Sequence, residues 1–555
     1  MMNRQAVDDY YEEQQVARRA APAKRSDAKD MKDILWKAAD KLRGSMDAAD
    51  YKHFVLGLVF LKYVSDAYYD RREHIEAELA DEGITGEAAA RLLEDRDEYT
   101  GAGVFWVPES ARWETLSAQA KPRPGERTVG EVIDNAMEAL GKVNPDLREA
   151  LPRGLFNRRS VDERRLAELV DLIGRIGFGG QLDLNGERKT PRDVLGEVYE
   201  YFLGKFALAE GRRGGEYFTP PSVVKLLVET LEPVKGERVY DPCCGSGGMF
   251  VQAEKFIESH GGRAIDIAVY GQELNENTWR LAKMNLAIHG ISADLGHRWG
   301  DTFFEDRHPD LRADVVLANP PFNISDWGGD RLADDPRWVY GIPPRGNANY
   351  AWLQHMAYKL KPKGRAGIVL ANGSMSSKQS GEGDIRRMMV ERDLVACLIA
   401  LPGQMFRSTT IPACLWFLAK DKSSQGAKKL TDRRKQFLFI DTRELGSLSD
   451  RTFKEWSNEE IKKVADIYHA WRGTDWRLKY EDVPGLCYSA SLDEVKHHDY
   501  VLTPSRYVGS VAAEEEVEPI DVKIERLTKE LYGHFEESAR LEREVRAQLG
   551  RCCHA

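Results

Sequence analysis

The sequence predicts a mixed α/β chain in three parts: an N-terminal helical domain, a doubly wound and mostly parallel sheet domain, and a C-terminal helical tail. Three observations predict it. Apolar residues recur at helical spacing through residues 31–175, with few β-branched runs. From residue 238 short β-branched runs alternate with helical ones, the pattern of repeated βα units. The Gly- and Pro-rich motifs of that region fall where strands end, which is where ligands sit in such sheets.

Taken in order, residues 1–29 are polar and include "RRAAPAKRSDAKD", so a poorly ordered leader is expected. Helical order starts near Ile34. Leu35, Ala39 and Leu42 share one face, and Asp50 is a candidate start for the next helix. The helical domain is assigned to 30–175 and ends near "RRLAELVDLIGRIGF". A helix, a Gly/Arg loop and a second helix follow in 190–231, the last opened by Thr219 and Pro220–Pro221. The sheet domain is assigned to 176–480. Its strands are "RVY", "AIDIAVYGQEL", "ADVVLANPPF", "RAGIVLANGSM", "LVACLIALP" and "ACLWFLAK". Residues 481–555 form a C-terminal extension with a charged helix over 524–549. Ile524, Leu527, Leu531, Phe535, Leu541, Val545 and Leu549 lie near one stripe of it. That stripe is either a seam for a partner helix or a face packed on its own domain.

Composition narrows the function classes. The chain has 555 residues and a formal net charge of −10, so it lacks an overall basic footprint. Contacts with nucleic acid must then be local or be supplied by a partner. The seven cysteines are scattered, odd in number and without a C-x-x-C, which excludes a secreted disulfide framework and points to a reducing, cytoplasmic compartment. Asp8, Asp9, Glu12 and Glu13 argue against a transit peptide. The longest apolar run, "FVLGLVFL" at 54–61, falls far short of a membrane span, so it reads as a buried helix and no membrane is expected as partner. Cys552, Cys553 and His554 lack ligand spacing, and no metal site is expected.

Four strand-end motifs carry candidate chemistry. "DPCCGSGGMF" (241–250) departs from a dinucleotide fingerprint, because Phe250 stands where the third glycine belongs. Its Asp241 needs donors, and a cofactor with an ammonium group and ribose hydroxyls suits it better than a pyrophosphate; an ordinary tight turn is the other reading. Glu273 in "YGQELN" sits where an acid accepts from ribose hydroxyls, or else where it stabilises a helix N-terminus. Asp301 in "WGDTF" can receive an adenine amino group, though such a pair is also common in turns. "NPPF" (319–322) is the most specific. Its prolines have no N–H and leave carbonyls pointing outward. Asn319 and the Pro320 carbonyl can therefore accept both hydrogens of an exocyclic amine, which frees the nitrogen lone pair for attack. Phe322 offers a flat face for an extruded base.

In that order, "DPCCGSG", Glu273, Asp301 and "NPPF" resemble the amino-methylating, S-adenosylmethionine-dependent DNA methyltransferases, whose sheet domain is Rossmann-like. More narrowly, the chain resembles the modification (M) subunit of type I restriction–modification systems. That resemblance also covers "LWKAADKLRGSMDAADYKHFVLGLVFLKYVSD" (35–66), "LGEVYEYFLGKFA" (195–207), "GGEYFTP" (214–220) and "GNANYAWLQHMAYKLKPKGRAGIVLANGSM" (346–375). It implies that Glu216, Tyr217, Phe218, Thr219 and Pro220 close over the methionine end of the cofactor. It places Asp241, Cys243, Cys244, Gly245, Ser246 and Gly247 in the loop beneath. Glu273 matches the ribose acid, Asp301 the adenine contact, and Asn319, Pro320, Pro321 and Phe322 the catalytic tetrapeptide. Cys243–Cys244 departs from the small residues or Thr/Ala more usual there, without expected loss of activity.

The implied reaction is methyl transfer from S-adenosyl-L-methionine to N6 of adenine in double-stranded DNA, after the base leaves the helix. The implied partners are a specificity (S) subunit that reads the site, with two M per S, and a restriction (R) subunit. Three rivals are weighed. A protein or RNA methyltransferase with the same amine grip fits poorly with the helical N-terminal domain and the partner-like C-terminal helix. A non-catalytic scaffold is at odds with the intact "NPPF". A self-contained adenine methyltransferase lacks a region resembling a target-recognition domain. The segment 325–349, with Trp327, Arg337, Trp338 and Arg345, is expected to be a mobile loop near DNA, or else a surface insertion.

Overall fold

The computed structural model describes residues 48–122, 125, 127–158, 162–175, 196, 198–203, 205, 219–263, 266–406, 411–424, 430–448, 453–475, 477–509 and 520–552. The leader at 1–29, the face of Leu35, Ala39 and Leu42, and Glu216, Tyr217 and Phe218 lie outside the described residues.

The first part is helical. α1 (Ala48–Asp81) carries "FVLGLVFL", and its apolar side chains from Phe54 to Leu61 are buried on every side of the helix. α2 (Trp113–Gln119), α3 (Val129–Val143) and α4 (Glu163–Gly174) supply further parts of that core. α3 starts at a capping box in which Thr128 Oγ1 accepts from Glu131 N and Glu131 accepts from Thr128 N. It buries Val132, Ile133, Ala136, Met137 and Leu140, the spacing of one helical face.

The sheet part begins with α5 (Pro221–Leu231) and runs through β1 (Arg238–Asp241), α6 (Gly248–Ser259), β2 (Ala268–Gly271), α7 (Glu276–Ile288), β3 (Ala293–Asp294) and β4 (Ala313–Ala318). It continues with α8 (Asn349–Lys359), β5 (Leu360–Ala371), α9 (Glu382–Glu391), β6 (Val395–Ala400), β7 (Ala413–Ala419) and β8 (Gln436–Asp441). β9 (Ser447–Leu448) and β10 (Lys454–Glu455) form a separate ribbon, and α10 (Asn458–Arg472) leads to β11 (Cys487–Ser491). The order across the nine-stranded sheet is β11-β8-β6-β7-β5-β4-β1-β2-β3. Only β7 and β11 run against the others, so the sheet is mostly parallel as expected. α5, α6, α7 and α10 cover one face, and α8 and α9 the other.

The helical part is seated on α7. Leu281, Met284 and Ile288 of α7 belong to its core, and Arg280 donates to the Glu149 and Leu151 carbonyls. The boundary expected at 480 is corrected: β11 pairs with β8, so the sheet continues past it. Beyond that, α11 (Ile520–Cys552) is a single helix whose described side chains are all exposed, Ile524, Leu527, Leu531, Phe535 and Leu541 among them. Among the described residues no helix is long and apolar enough to cross a membrane.

Candidate active site

From β1 the chain steps outward to β2 and β3, then returns to β4 on the other side of β1. A crevice opens at such a switch point, at the carboxyl ends of β1 and β4. Asp241 ends β1 and Asn319 follows β4, so the two flank it.

Asp241 is 2% exposed, and its Oδ1 accepts from Cys243 N at 2.9 Å. Burial raises its carboxyl to about 7; the Cys243 N–H and then its thiol oppose that rise, and the charge of Glu273 adds to it. The chain then turns through Gly245 (φ +54°) and Gly247 (φ +80°), both left-handed. A Cβ on Gly247 would press on Leu286 at 3.3 Å, whereas one on Gly245 would meet nothing within 4 Å. Gly245 thus leaves its side of the loop open to a ligand. Burial, then the Asp241 charge, pushes both the Cys243 and Cys244 thiols well above their ordinary value. They stay protonated, which is the wrong state for a redox pair or a metal ligand. The Ser246 carbonyl accepts from Asn285 Nδ2 at 2.9 Å.

The loops after β2 and β3 are tied to the first one. Glu273 Oε2 accepts from Gly245 N at 3.1 Å and its Oε1 from Asn275 N at 2.8 Å. Asp301 Oδ1 accepts from Phe303 N at 2.8 Å, and Thr302 Oγ1 donates to the Pro242 carbonyl at 2.6 Å. The residue that joins all three is Gln272, which sequence reasoning missed. Its backbone N–H donates to the Asp241 carbonyl, its own carbonyl accepts from Cys244 N, and its Nε2 donates to the Gly300 carbonyl. The available signal was a polar residue at the end of an apolar strand.

Across the crevice, Asn319 Nδ2 donates to Thr219 Oγ1 at 2.8 Å. Asn319 Oδ1 is buried and has no hydrogen-bond partner among the described residues. Pro320 is buried, Pro321 half-buried, and Pro220 is the buried residue that precedes α5. Phe322 is 5% exposed, and the Phe406 ring meets it edge-on at 6.0 Å between centroids. Phe406 is a second residue that sequence reasoning missed. The turn after "NPPF" is clamped: Asn323 (φ +53°) donates from its backbone N–H to Asn349 Oδ1 at 3.1 Å, and Asn349 Nδ2 donates back to Asn323 Oδ1 at 2.8 Å.

The segment 325–349 departs from the expectation of a mobile loop or plain insertion. Trp327 and Trp338 are buried, each donating its indole N–H to a carbonyl, of Pro344 and Leu332. Arg337 is 6% exposed and paired with Asp335. It donates to the Thr302 carbonyl at 3.1 Å and the Phe303 carbonyl at 2.6 Å, bracing the Asp301 turn from behind. It also donates to His355 Nδ1 at 3.1 Å. Burial, then the charges of Arg337 and Lys359, hold His355 well below its ordinary value. The ring is neutral, so its other nitrogen carries the proton and donates to Tyr240 Oη at 3.2 Å. Arg345, by contrast, is largely exposed.

Comparison with known proteins bears on this arrangement. Residues 190–516 match the family model described as N-6 DNA Methylase, and residues 31–173 match the HsdM N-terminal domain. The chain is 45% identical over 454 residues to the methylase subunit of the type I restriction enzyme HindI from Haemophilus influenzae, covering 80% of this chain and 99% of the relative. It is 37% identical over 527 residues to the methylase subunit of the type I restriction enzyme MjaIX from Methanocaldococcus jannaschii, covering 93% and 90%. Its fold is similar to that of a type I restriction-modification system methyltransferase subunit from Streptococcus thermophilus. The TM-score is 0.68 at 24% identity, over 87% of this chain and 100% of that one.

Proposed function

The chain belongs to the N-6 DNA methylase family, and from that premise we infer that it works as the modification subunit of a type I restriction–modification enzyme. It methylates N6 of adenine in double-stranded DNA at a site that a separate specificity subunit selects. The observation that carries the chemistry is the buried Asn319 Oδ1, an acceptor with no partner among the described residues. Buried acceptors are normally paired, and a lone one at a strand end calls for a donor from a ligand. An exocyclic amine brings two donors. Asn319 Oδ1 takes one hydrogen and the Pro320 carbonyl takes the other, which draws the amine toward a pyramidal nitrogen with its lone pair free. Phe322, with Phe406 beside it, supplies apolar surface for the extruded base.

The residues at the ends of β1 and β2 and in the turn that carries Asp301 fit S-adenosylmethionine. They bring three carboxylates, which suit a cation bearing hydroxyls and an amino group and repel a pyrophosphate. Gly245 adds a face where even a Cβ would touch nothing within 4 Å. Asp241 and the turn through Cys243, Cys244, Gly245, Ser246 and Gly247 would hold the methionine part, Glu273 the ribose and Asp301 the adenine, with Glu216, Tyr217, Phe218 and Pro220 closing over it and the Thr219 hydroxyl turned instead to Asn319. Bound there, the cofactor supplies a methyl group activated by its sulfonium. The protein's own share is alignment and the exclusion of water.

The exposed apolar stripe of α11 is the seam for a helix of the specificity subunit, with two modification subunits per specificity subunit and a restriction subunit joining the assembly. The chain works in the cytoplasm, where its DNA lies. Incubation with radiolabelled S-adenosylmethionine and unmethylated host DNA, with the specificity subunit present, should label DNA at N6 of adenine. Label that appears only in protein or RNA would defeat this reading.

A further inference from the structure

Thr219 belongs by sequence to the segment assigned to the cofactor, yet its side chain meets Asn319. The two are brought together by packing. Thr219 leads into α5, and α5 lies so close on β5 that a Cβ on Gly367 would meet Leu227 and Leu231 at 2.9 Å. Asn319 follows the end of the neighbouring strand β4.

The amide of Asn319 is directional, since its oxygen only accepts and its nitrogen only donates. A target amine offers two donors, so one orientation of the amide works and the flipped one sets donors against donors. Thr219 Oγ1 receives the amide N–H at 2.8 Å and leaves Oδ1 for the amine. Drawing on the N–H also polarises the amide and strengthens its oxygen as an acceptor. We propose that Thr219 is a positioning residue whose hydroxyl holds the Asn319 amide with its oxygen toward the target amine. It acts on the transfer step and not on cofactor affinity. The proposal rests on reading Asn319 as the amine grip.

The test uses the full chain assembled with its specificity subunit, on unmethylated host DNA. Thr219→Val keeps the shape and removes the hydroxyl. The kcat at saturating S-adenosylmethionine should fall about tenfold to a hundredfold, the cost of stranding a buried amide N–H. The Kd for S-adenosylmethionine, from calorimetry, should stay within about twofold, and Thr219→Ser should restore most of the rate. In an Asn319→Ala background no amide remains to be held, so adding Thr219→Val should cost nothing further. A weakened Kd with kcat preserved would overturn the proposal, as would full activity of Thr219→Val or equal losses in both backgrounds. If the unmutated assembly neither binds S-adenosylmethionine nor methylates DNA, the function itself falls, which is a separate outcome.

Discussion

On the β1–β2–β3 side of the crevice, Asp241, Glu273 and Asp301 each already accept a backbone N–H, from Cys243, Gly245 and Phe303. On the β4 side, Asn319 keeps one buried oxygen with no partner among the described residues. The first side is held in shape mainly by its own loops, with Gln272 as the common link and Arg337 behind the Asp301 turn. The second is held by groups brought from elsewhere in the chain: Thr219 before α5 and Asn349 at the start of α8. A preformed side suits a cofactor that is bound anew for each turnover. An unpaired buried acceptor costs about 1–3 kcal/mol and is tolerable where a substrate supplies the missing donor.

If the two sides are this different, damage to them should separate cleanly. Asn319→Ala should lower the methylation rate by about a hundredfold to a thousandfold, the usual loss on removing one such electrostatic contact. Cofactor affinity should stay within about twofold. Rate assays with tritiated S-adenosylmethionine, beside calorimetry, check both. A large loss of affinity would mean that Asn319 serves both sides.

Asp241 sharpens the other half. Its carboxyl lies at about 7 because burial disfavours the charge, against about 3.9 in an unfolded chain. In the free protein that contribution to stability is therefore fully present below about pH 4 and lost as pH rises toward 7. A bound cation favours the ionised form, so cofactor affinity should run the opposite way, rising across that window and levelling above it. At pH 6.5 binding should release part of a proton. Calorimetry in two buffers of different ionisation enthalpy measures it, and no difference between the buffers would remove Asp241 from the contact.

A smaller effect is expected from the clamp behind "NPPF". Asn349→Ala removes the two bonds that Asn349 makes to Asn323 in its left-handed turn and leaves the longer one from Asn347. The rate should drop about tenfold, through a misplaced tetrapeptide, with cofactor affinity again unchanged. A fall in affinity instead would tie the clamp to the cofactor side.

These contrasts also mark what could be read from the letters. The parallel sheet and the strand-end motifs were legible, because β-branched runs and loop residues such as Gly245 and Pro320 have strong local causes. The partner of Asn319 was not, since Thr219 lies far away in sequence and only the seating of α5 brings it near. Segment 325–349 misled for a physical reason. Its indoles and Arg337 look outward-facing by composition, but each finds carbonyl partners or an adjacent carboxylate that makes burial tolerable. β8 and β11 were missed because the apolar run "FLFI" is short, "CYSAS" is broken by two serines, and neither carries a motif.

The smallest expected effect concerns Cys243 and Cys244, at the centre of the preformed side. Burial keeps both thiols protonated, and Cys243 reaches Asp241 through its backbone N–H and, more weakly, through its thiol. Any small residue can supply that N–H, the stronger of the two, so only the thiol bond is lost. The double substitution Cys243→Ala, Cys244→Ala should therefore keep the methylation rate within about twofold. Cys244 packs in the apolar core, so its loss should lower stability by about 1 kcal/mol, seen as a modest drop in Tm. A dead double variant that still folds would show that the sulfurs themselves take part, and the preformed side would then hold more than backbone and carboxylates.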